Sequence, residues 1–412
     1  MDINILVGLR FNPVMHPEDP LEVFLDWSRK NGIIFDGLEI RSSETSGNGI
    51  FATRAFRTDE KFIQLPETLM ITAGKVADME KYAILLQETG FLPTPFEMLT
   101  IFFCLEEVES SFYGPYLRVL PKTFTTPAFL GETISAENLP SSVREYWCTQ
   151  QKDLQEMWKR IHSILPKVTH ETFLWAWHVV NTRCIYVENK PHPVIDNSAG
   201  DTLAVIPFVD MLNHDPQAQG MAMFDRYSKT YMVRASHCVL EDQQVTVCYG
   251  PHDNARLWME YGFTLPNNPN GKVVIEHALF IALAKKVGVV VTSLHEEALQ
   301  EAALPCTLYL SDEGPSWALR VNMKILMLSL PELKRWREIV YTDEPRTRSI
   351  SSLEDDCELD EEELNEFKTL ERILNELRKA IASKMESVPQ QTQWIWKEQL
   401  AVVDVVLSSF SR

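Results

Sequence analysis

The sequence predicts an α+β fold in which two β-rich blocks are separated by a long helical stretch and followed by a helical C-terminal region. In the first block, residues 37–72, short apolar runs alternate with turn residues, as they do in a small meander of strands. In the second block, residues 202–249, strand-like runs return. Between the blocks, over about 75–187, and again from 272 onward, apolar residues recur at helical spacing.

The individual elements follow from the same patterns. The stretch "LEVFLDWSRKNG" (21–32) predicts a short amphipathic helix that ends at Gly32. The apolar runs predict strands, in chain order, at 49–53, 61–65, 68–72, 202–206, 221–235 and 244–249, with a hairpin turn at "SKT". The turn residues of "NNPNG" (267–271) mark a domain boundary. We therefore expect an N-terminal arm and helix (1–33), a core domain that carries the helical insertion (34–265) and a helical C-terminal domain (266–412).

Composition limits where the protein works. The chain has 412 residues, of which 45% are hydrophobic, so it can bury a sizeable core. It contains no run of about 18 apolar residues, and its start, "MDINILVGLR", lacks the cationic segment of a signal peptide. The seven cysteines form no CxxC pair, which favours reduced thiols and predicts no zinc site. We expect a cytoplasmic or nuclear protein that does not enter the membrane.

The charge balance is acidic. Lys plus Arg number 39 and Asp plus Glu number 58, for a net charge of −19. An acidic surface repels nucleic acid and favours basic partners, so no direct nucleic-acid binding is expected. The densest acidic run, "LEDDCELDEEELNEF" (353–367), fits either a solvated loop and helix face or a docking site for a basic tail.

Two segments of the first half carry residues suited to ligand binding. In "SGNGIF" (46–51), two glycines spaced by one residue allow a tight turn and a close approach of the backbone to a ligand, although a plain turn is the default interpretation of a lone GxG. A strand rather than a helix follows, so the segment is not a dinucleotide-binding loop. In "NTRCIY", Arg183 ends a predicted helix, where it can form a salt bridge, interact with the helix C-terminus or hold an anion.

Two segments of the second β-rich block carry the other candidates. The apolar run "PFVDMLNHD" stops on Asn213 and His214. Buried polar side chains cost about 1–3 kcal/mol unless they are hydrogen-bonded, so this pair indicates either a turn or a ligand site. In "VTVCYGPHDNARLWMEYGF", Tyr249 ends a strand, and Asn254, Tyr261 and Phe263 follow. Taken alone, Tyr249 fits a sheet-edge aromatic residue better than an acid or base, because a free tyrosine titrates near pKa ~10.

In this order, the four segments resemble the motifs of the SET-domain protein methyltransferases. The helical insertion and the helical C-terminal region resemble the branch that includes the Rubisco large-subunit methyltransferase. The stretches that carry this likeness are "FLWAWHVVNTR", "YGPHDNARLWMEYGF" and "GPYLRVLPKTFTTPAF". The resemblance is strongest over 35–55 and 171–265 and looser toward the C-terminus. It implies a SET-domain β core of small antiparallel sheets with a pseudoknot, split by the insertion and followed by an all-helical domain that binds the substrate protein.

The resemblance implies an enzyme that moves a methyl group from S-adenosylmethionine to a lysine of a histone or non-histone protein. A free lysine has pKa ~10.4, so the amine must lose its proton before it can react. Desolvation in an apolar channel lowers that pKa, and alignment with the methyl donor then supplies much of the acceleration. No metal ion is needed for this chemistry.

The resemblance also assigns residues. The cofactor-binding positions that it implies are Ser46, Gly47, Asn48, Arg183, Asp210, Asn213, His214, Tyr249 and Phe263. The catalytic residue would be Tyr249, whose hydroxyl orients the amine and polarises the cofactor methyl. The substrate channel would be lined by Ile185, Tyr261 and Phe263. Arg183 would lie near the cofactor carboxylate, which a guanidinium can bind through two hydrogen bonds.

The sequence departs from the family pattern at three points, and two alternative functions stay open. Ser46 stands where several relatives carry an acid, and the cysteine-rich zinc segment of other SET enzymes is absent from the sequence. Ile185 is apolar where a histidine-methylating branch carries a polar residue, which favours lysine as the substrate. A protein-histidine methyltransferase and an inactive SET scaffold that only binds are the alternatives. We expect a monomer whose protein substrate presents a basic, lysine-bearing segment.

Overall fold

A computed structural model describes residues 19–43, 47–188, 190–198, 200, 202–302, 307–342 and 361–410. The chain packs as two compact units. The first takes its residues from Met1–Thr123 and Arg160–Cys248, and the second from Phe124–Lys159 and Tyr249–Arg412. Each unit therefore contains two separate stretches of the chain.

Helices dominate outside the two β-rich blocks. In chain order the α-helices of the described residues are α1 (Pro20–Lys30), α2 (Ala73–Ala77), α3 (Glu80–Thr89), α4 (Pro95–Leu105), α5 (Gly114–Val119), α6 (Pro127–Leu130), α7 (Ser141–Ile164), α8 (His170–Arg183), α9 (Asn254–Tyr261), α10 (His277–Lys286), α11 (Ser293–Glu301), α12 (Trp317–Met327), α13 (Leu330–Leu333), α14 (Trp336–Thr342), α15 (Glu361–Ser387) and α16 (Gln390–Phe410). Helix α1 confirms the amphipathic helix predicted over 21–32.

The strands of the described residues form three small sheets. In chain order they are β1 (Leu38–Ser43), β2 (Gly47–Ala52), β3 (Lys61–Pro66), β4 (Ile71–Thr72), β5 (Cys184–Tyr186), β6 (Leu203–Val205), β7 (Asn213–His214), β8 (Gly220–Asp225), β9 (Thr230–Ala235), β10 (Gln244–Val247), β11 (Val273–Val274), β12 (Tyr309–Ser311) and β13 (Gly314–Pro315). The predicted strand at 68–72 shortens to β4, because a 3₁₀-turn occupies Glu67–Leu69. The predicted run 221–235 is the hairpin β8–β9.

The largest sheet lies in the first unit and has the strand order β1-β2-β10-β8-β9-β3, with β7 also paired to β10. Most pairs are antiparallel, whereas β10 runs parallel to β7 and β8. The hairpin β1–β2 places Ile40 opposite Ile50 and Leu38 opposite Ala52. Ile50, Leu38 and Ala52 are buried, as the two-residue period of a strand requires when one face meets the core. A second sheet of this unit has the order β4-β6-β5.

Helices of the insertion that belong to the first unit, α2–α5 and α8, add apolar core to it. Helix α4 packs on α8 and is buried along most of its length. It begins with a capping box, in which Thr94 Oγ1 accepts from the backbone N–H of Glu97 while the Glu97 carboxylate accepts from that of Thr94. The buried Glu97 also pairs with Arg160 at 2.6 Å. These contacts fix the insertion whose last helix, α8, delivers Arg183 to the β core.

The second unit is mainly helical, with a core built on α10, α12, α15 and α16. Helices α15 and α16 pack extensively on each other. The unit also contains a three-stranded sheet, β11-β12-β13, that the sequence analysis did not predict. No helix of the described residues is both long and apolar enough to cross a bilayer. Of the acidic run 353–367, the part before Glu361 lies outside the described residues, and the remainder begins α15.

Candidate active site

The glycines of "SGNGIF" start strand β2, and the structure separates their roles. Gly47 has a left-handed backbone, φ +67°, and a Cβ there would meet no atom within 4 Å. A Cβ on Gly49 would lie 2.2 Å from Gln244 Nε2 and 3.0 Å from Asn213 Nδ2. Gly49 is therefore the point at which two side-chain amides approach the backbone of β2. The sequence analysis assigned Gly47 to the site but not Gly49.

Asn213 and His214 form the two-residue strand β7. They pair in parallel with Thr246 and Val247 of β10, and His214 is buried. Asn213 Nδ2 donates to the backbone oxygen of Asn48 at 3.3 Å. The sequence left open whether this pair marks a turn. It forms a strand instead, and its amide ties β7 to the start of β2.

The chain enters β7 through a strained bend. Phe208 has φ +76° and ψ −48°, close to a γ-turn that residues with side chains rarely adopt. Its fully buried ring stacks on Phe35 with the ring centroids 4.3 Å apart. Strained backbone persists only where the surroundings hold it, and it is concentrated at functional sites. The bend leads into a 3₁₀-turn, Val209–Met211, that carries Asp210.

Gln244, the first residue of β10, is a second residue that the sequence analysis missed. It pairs with Phe51 of β2, beside Gly49. Its Nε2 is buried and has no hydrogen-bond partner among the described residues. Leaving a buried amide donor unsatisfied costs about 1–3 kcal/mol. Together with Asn213, Gln244 supplies N–H donors suited to a ligand oxygen such as that of a hydroxyl or carboxylate.

Arg183 forms the salt bridge that the sequence allowed. Its Nη1 donates to Asp210 Oδ2 at 3.0 Å and to the backbone oxygen of Asp210 at 3.2 Å. The Asp210 side chain is fully buried, whereas that of Arg183 is 20% exposed. Burial raises the pKa of Asp210, while the Arg183 charge and the Tyr116 hydroxyl oppose that rise. Two residues expected near a cofactor are therefore coupled to each other.

Three aromatic residues predicted for the site lie together in the second unit. The ring centroids of Tyr249 and Tyr261 are 4.9 Å apart, and those of Tyr261 and Phe263 are 6.2 Å apart. All three side chains are half-buried. Gly262 makes this turn possible, because it has φ +81° and a Cβ there would lie 2.4 Å from Thr125 Oγ1. The three rings form a half-buried aromatic wall.

Asn254 anchors the segment that follows this wall. Its Nδ2 donates to the Leu265 oxygen at 2.8 Å and to Glu398 Oε1 of α16 at 2.7 Å. Its Oδ1 accepts from the Leu265 N–H at 2.8 Å and from Asn268 Nδ2 at 3.0 Å. Both the oxygen and the nitrogen of this buried amide are hydrogen-bonded, which explains why α9, "NARLWMEY", begins on an asparagine. Its role is to hold the backbone after Phe263 against the C-terminal helices.

The remaining predicted positions are placed as follows. Ile185 is half-buried in β5 and pairs with Ala204 of β6. Asn48 is exposed at the start of β2. Ser46 lies outside the described residues. Among the residues that the structure covers, no group of three or more histidine, cysteine, aspartate or glutamate side chains is arranged to hold a metal ion.

Glu260, next to Tyr261 on α9, is a titratable group that the sequence did not single out. Burial raises its pKa to about 7, although Arg256 Nη2 lies 3.1 Å from its Oε1. In the unfolded chain the group titrates near 4.5. Because the folded state holds the proton more tightly, the stability that this group contributes is full below pH 4.5 and is lost as the pH rises through about 7.

Glu260→Gln, which cannot ionise, should therefore become more stable relative to wild type as the pH rises. We expect the difference in unfolding free energy to shift by about 2 kcal/mol in favour of the variant between pH 5 and pH 8, somewhat less than the full pKa shift because the ion pair with Arg256 offsets part of it. Urea unfolding of both proteins at the two pH values measures this shift, with the exposed Glu88→Gln as control. A difference that does not change with pH would contradict it.

Comparison with known proteins matches this arrangement to one family. The family model described as "SET domain" matches residues 47–250. SET domain-containing protein 4 of Artemia parthenogenetica is 27% identical over 338 residues, which cover 79% of this chain and 84% of that protein. The ribosomal lysine N-methyltransferase set11 of Schizosaccharomyces pombe is 24% identical, with 88% of each chain covered. The actin-histidine N-methyltransferase of Rhinolophus ferrumequinum is 24% identical over 77% of this chain and 54% of its own.

Solved structures show the same fold over almost the whole length. The structure of Rubisco LSMT bound to sinefungin and monomethyllysine has a TM-score of 0.61 at 16% identity, covering 95% of this chain and 91% of that one. The structure of Rubisco LSMT bound to AdoMet gives 0.60 at 16% identity, covering 96% and 92%. The prediction of a split SET core followed by C-terminal helices is confirmed. Residues 47–250 of this chain match the SET domain, and the chain resembles SET domain-containing protein 4 and shares the fold of the Rubisco large-subunit methyltransferase.

Proposed function

We propose that this protein is an S-adenosylmethionine-dependent protein methyltransferase and that it methylates lysine. The observation that carries the proposal is the meeting of Gly49, Asn213 and Gln244 at the start of β2, within the span that matches the SET domain. A side chain at position 49 would displace these two amides, and Gln244 Nε2 is buried without a hydrogen-bond partner among the described residues, so a ligand oxygen is the partner that we assign to it. Relatives and solved structures of this fold carry methyltransferase names.

The residues present fit the cofactor. S-adenosylmethionine is a polar molecule with a carboxylate, an ammonium, ribose hydroxyls and an adenine ring, and when bound it supplies an electrophilic methyl group on a sulfonium. Gln244 Nε2, buried and without a partner among the described residues, can donate to one of its oxygens. The backbone of Gly47 and Asn48 can be approached closely, because no side chain on Gly47 blocks it. Arg183, fixed by Asp210, would face the carboxylate.

The chain's own residues would prepare the amine. The rings of Tyr249, Tyr261 and Phe263 exclude water, which lowers the pKa of a lysine that enters between them. The Tyr249 hydroxyl would accept or donate a hydrogen bond at the amine and hold its lone pair in line with the methyl. Holding two reactants in line removes much of the entropic part of the barrier. The lysine ammonium gives its proton to solvent water before the amine reacts, which makes the nitrogen lone pair available for the methyl group.

Lysine is favoured over histidine as the acceptor by the apolar character of the site. Ile185 offers no hydrogen bond that could orient an imidazole, and a neutral lysine needs chiefly desolvation. The net charge of −19 suits a basic segment around the target residue. Histidine remains the second candidate, because relatives of similar identity are named as actin-histidine N-methyltransferases. We also propose that the enzyme acts as a monomer in the cytoplasm or nucleus.

One experiment tests the class of reaction and the acceptor together. The full chain is incubated with methyl-labelled S-adenosylmethionine and a cell extract depleted of small molecules, and labelled proteins are mapped by fragment-ion mass spectrometry. The proposal expects label on the ε-nitrogen of lysine. Label on an imidazole nitrogen would identify the protein as a histidine methyltransferase. Stoichiometric cofactor binding without transfer to any protein would indicate a SET scaffold that has lost catalysis.

Gly49→Ala tests the cofactor pocket itself. The added methyl group would push the amides of Gln244 and Asn213 away from β2, because it would lie 2.2 Å from the first and 3.0 Å from the second. We expect the dissociation constant for S-adenosylmethionine, measured by calorimetry, to rise about tenfold, the scale of one lost hydrogen bond. The control is Gly74→Ala, in α2, where the backbone is ordinary and a Cβ would make only van der Waals contact with His192 at 3.6 Å. Equal affinities of the two variants would remove Gly49 from the site.

A further inference from the structure

We propose that Tyr116, in the helical insertion, is a positioning residue that fixes Asp210 and, through it, the Arg183 guanidinium in the cofactor pocket. The inference rests on the proposed function and adds to it a residue that lies outside the four motif segments. It arises from a contact that joins three distant stretches of the first unit: helix α5, the end of α8 and the 3₁₀-turn before β7.

The geometry of the contact is specific. The Tyr116 hydroxyl donates to Asp210 Oδ2 at 2.6 Å, the same oxygen that accepts from Arg183 Nη1 at 3.0 Å. The carboxylate is therefore held by two side chains, Tyr116 and Arg183, that are 67 residues apart in sequence. Asp210 comes three residues before Asn213, so its position also sets where β7 begins. Any displacement of this carboxylate moves Arg183 with it.

A hydroxyl is needed here for an energetic reason. Tyr116 and the Asp210 side chain are both fully buried. A buried carboxylate is costly unless its oxygens accept charge-assisted hydrogen bonds. Arg183 supplies one charged partner to Oδ2. The short bond from Tyr116 supplies a second, uncharged donor to the same oxygen and leaves Oδ2 with one fixed position.

The local packing makes Tyr116 a rigid donor. Its ring lies 5.9 Å from that of Phe24, centroid to centroid, and α1 packs on α5. Helix α5 begins at Gly114, where a Cβ would lie 2.1 Å from the Val108 oxygen, so the backbone is closely packed at this end. Burial raises the pKa of Tyr116 well above its ordinary value, so the hydroxyl keeps its proton and acts only as a donor toward the carboxylate.

The insertion contains a matched control. The Tyr82 hydroxyl donates to Glu106 Oε1 at 2.6 Å, and Tyr82 is also fully buried. Glu106 pairs with Lys81 rather than with a residue of the site. Tyr82→Phe and Tyr116→Phe each remove one buried hydroxyl from a carboxylate, and only the second reaches Arg183. If Tyr116 is only structural, Tyr82→Phe and Tyr116→Phe should have equal effects on cofactor affinity. If Tyr116 is a positioning residue, only Tyr116→Phe should change that affinity.

The experiment measures S-adenosylmethionine binding by calorimetry, per folded molecule, together with the thermal midpoint. We expect both variants to melt at lower temperature than wild type. The dissociation constant should rise about tenfold for Tyr116→Phe and stay within twofold of wild type for Tyr82→Phe. In an Arg183→Gln background, Tyr116→Phe should add no further loss of affinity, since a residue that acts through Arg183 has nothing left to position.

Three results would overturn the inference. Wild-type affinity in Tyr116→Phe would make the contact structural only, and so would additive losses in the Arg183→Gln background. Absence of cofactor binding by the wild-type protein would overturn it together with the proposed function. If Tyr116→Phe alone does not fold, Tyr116→Phe/Asp210→Asn replaces it, because a neutral amide needs no charge-assisted donor. That variant should fold and bind about tenfold more weakly, and wild-type affinity would again contradict the inference.

Discussion

Tyr249→Phe should lower the single-turnover rate about 100-fold while shifting the thermal midpoint by no more than about 2 °C. The substitution removes one oxygen and leaves the ring, whose centroid lies 4.9 Å from that of Tyr261. Since the ring supplies the packing, stability and cofactor affinity should change little. The hydroxyl is the group proposed to orient the amine, and loss of one preorganised polar group from an active site typically costs about 10²–10³ in rate.

The measurement uses a mapped protein substrate and saturating cofactor, so that binding differences do not enter the rate. Tyr309→Phe serves as control, because Tyr309 is a half-buried tyrosine of the same unit in the sheet of β11, β12 and β13. It should turn over at the wild-type rate. The opposite pattern for Tyr249→Phe, a lower midpoint with near-normal turnover per folded molecule, would identify Tyr249 as a structural residue.

Hydrophobic periodicity predicted the elements that bury one face. Strands β2, β3, β8 and β9 were predicted within a few residues, because each forms or ends a short apolar run bounded by turn residues. Strand β7 carries no such pattern, since it has only two residues. Its parallel pairing with β10 depends on the bend at Phe208 and on residues far along the chain. The short strands β11 and β13 escaped prediction for the same reason.

The sequence predicted some of the site residues and missed others, and the difference has a physical cause. Motif resemblance supplied Asn213 and Tyr249, whose identities recur in the family. It also supplied Asp210, but not the pairing of Asp210 with Arg183, and it did not supply Gln244, because a donor beside a glycine and an ion pair across 27 residues exist only once the chain has folded. The signal for Gly49 was the second glycine of "SGNGIF". Its backbone is ordinary in the structure, so the turn does not explain why a glycine stands at this position.

Asp210→Ala should be the most destabilising single change in the site, at about 3 kcal/mol of unfolding free energy. The Asp210 side chain is fully buried and accepts from both Arg183 and Tyr116. Its removal takes the carboxylate acceptor from the buried Tyr116 hydroxyl and the charge partner from the largely buried Arg183 guanidinium, which keeps the backbone oxygen of residue 210 as an acceptor. Removing one partner of a buried ion pair typically costs about 3–5 kcal/mol, and the 20% exposure of Arg183 places the expected loss at the lower end.

Urea unfolding of wild type and variant measures this loss, and Asp26→Ala provides the scale. Asp26 pairs with Arg29 at 3.2 Å on the surface of α1, with side chains 63% and 56% exposed, so its removal should cost under about 0.5 kcal/mol. The double variant Arg183→Leu/Asp210→Leu should recover much of the stability that Asp210→Ala loses, because an apolar pair needs no acceptor. It should not recover cofactor binding, since the guanidinium is gone. If Asp210→Ala proved as mild as Asp26→Ala, the three-residue contact would not hold Arg183, and the pocket would depend on the amides at Gly49 alone.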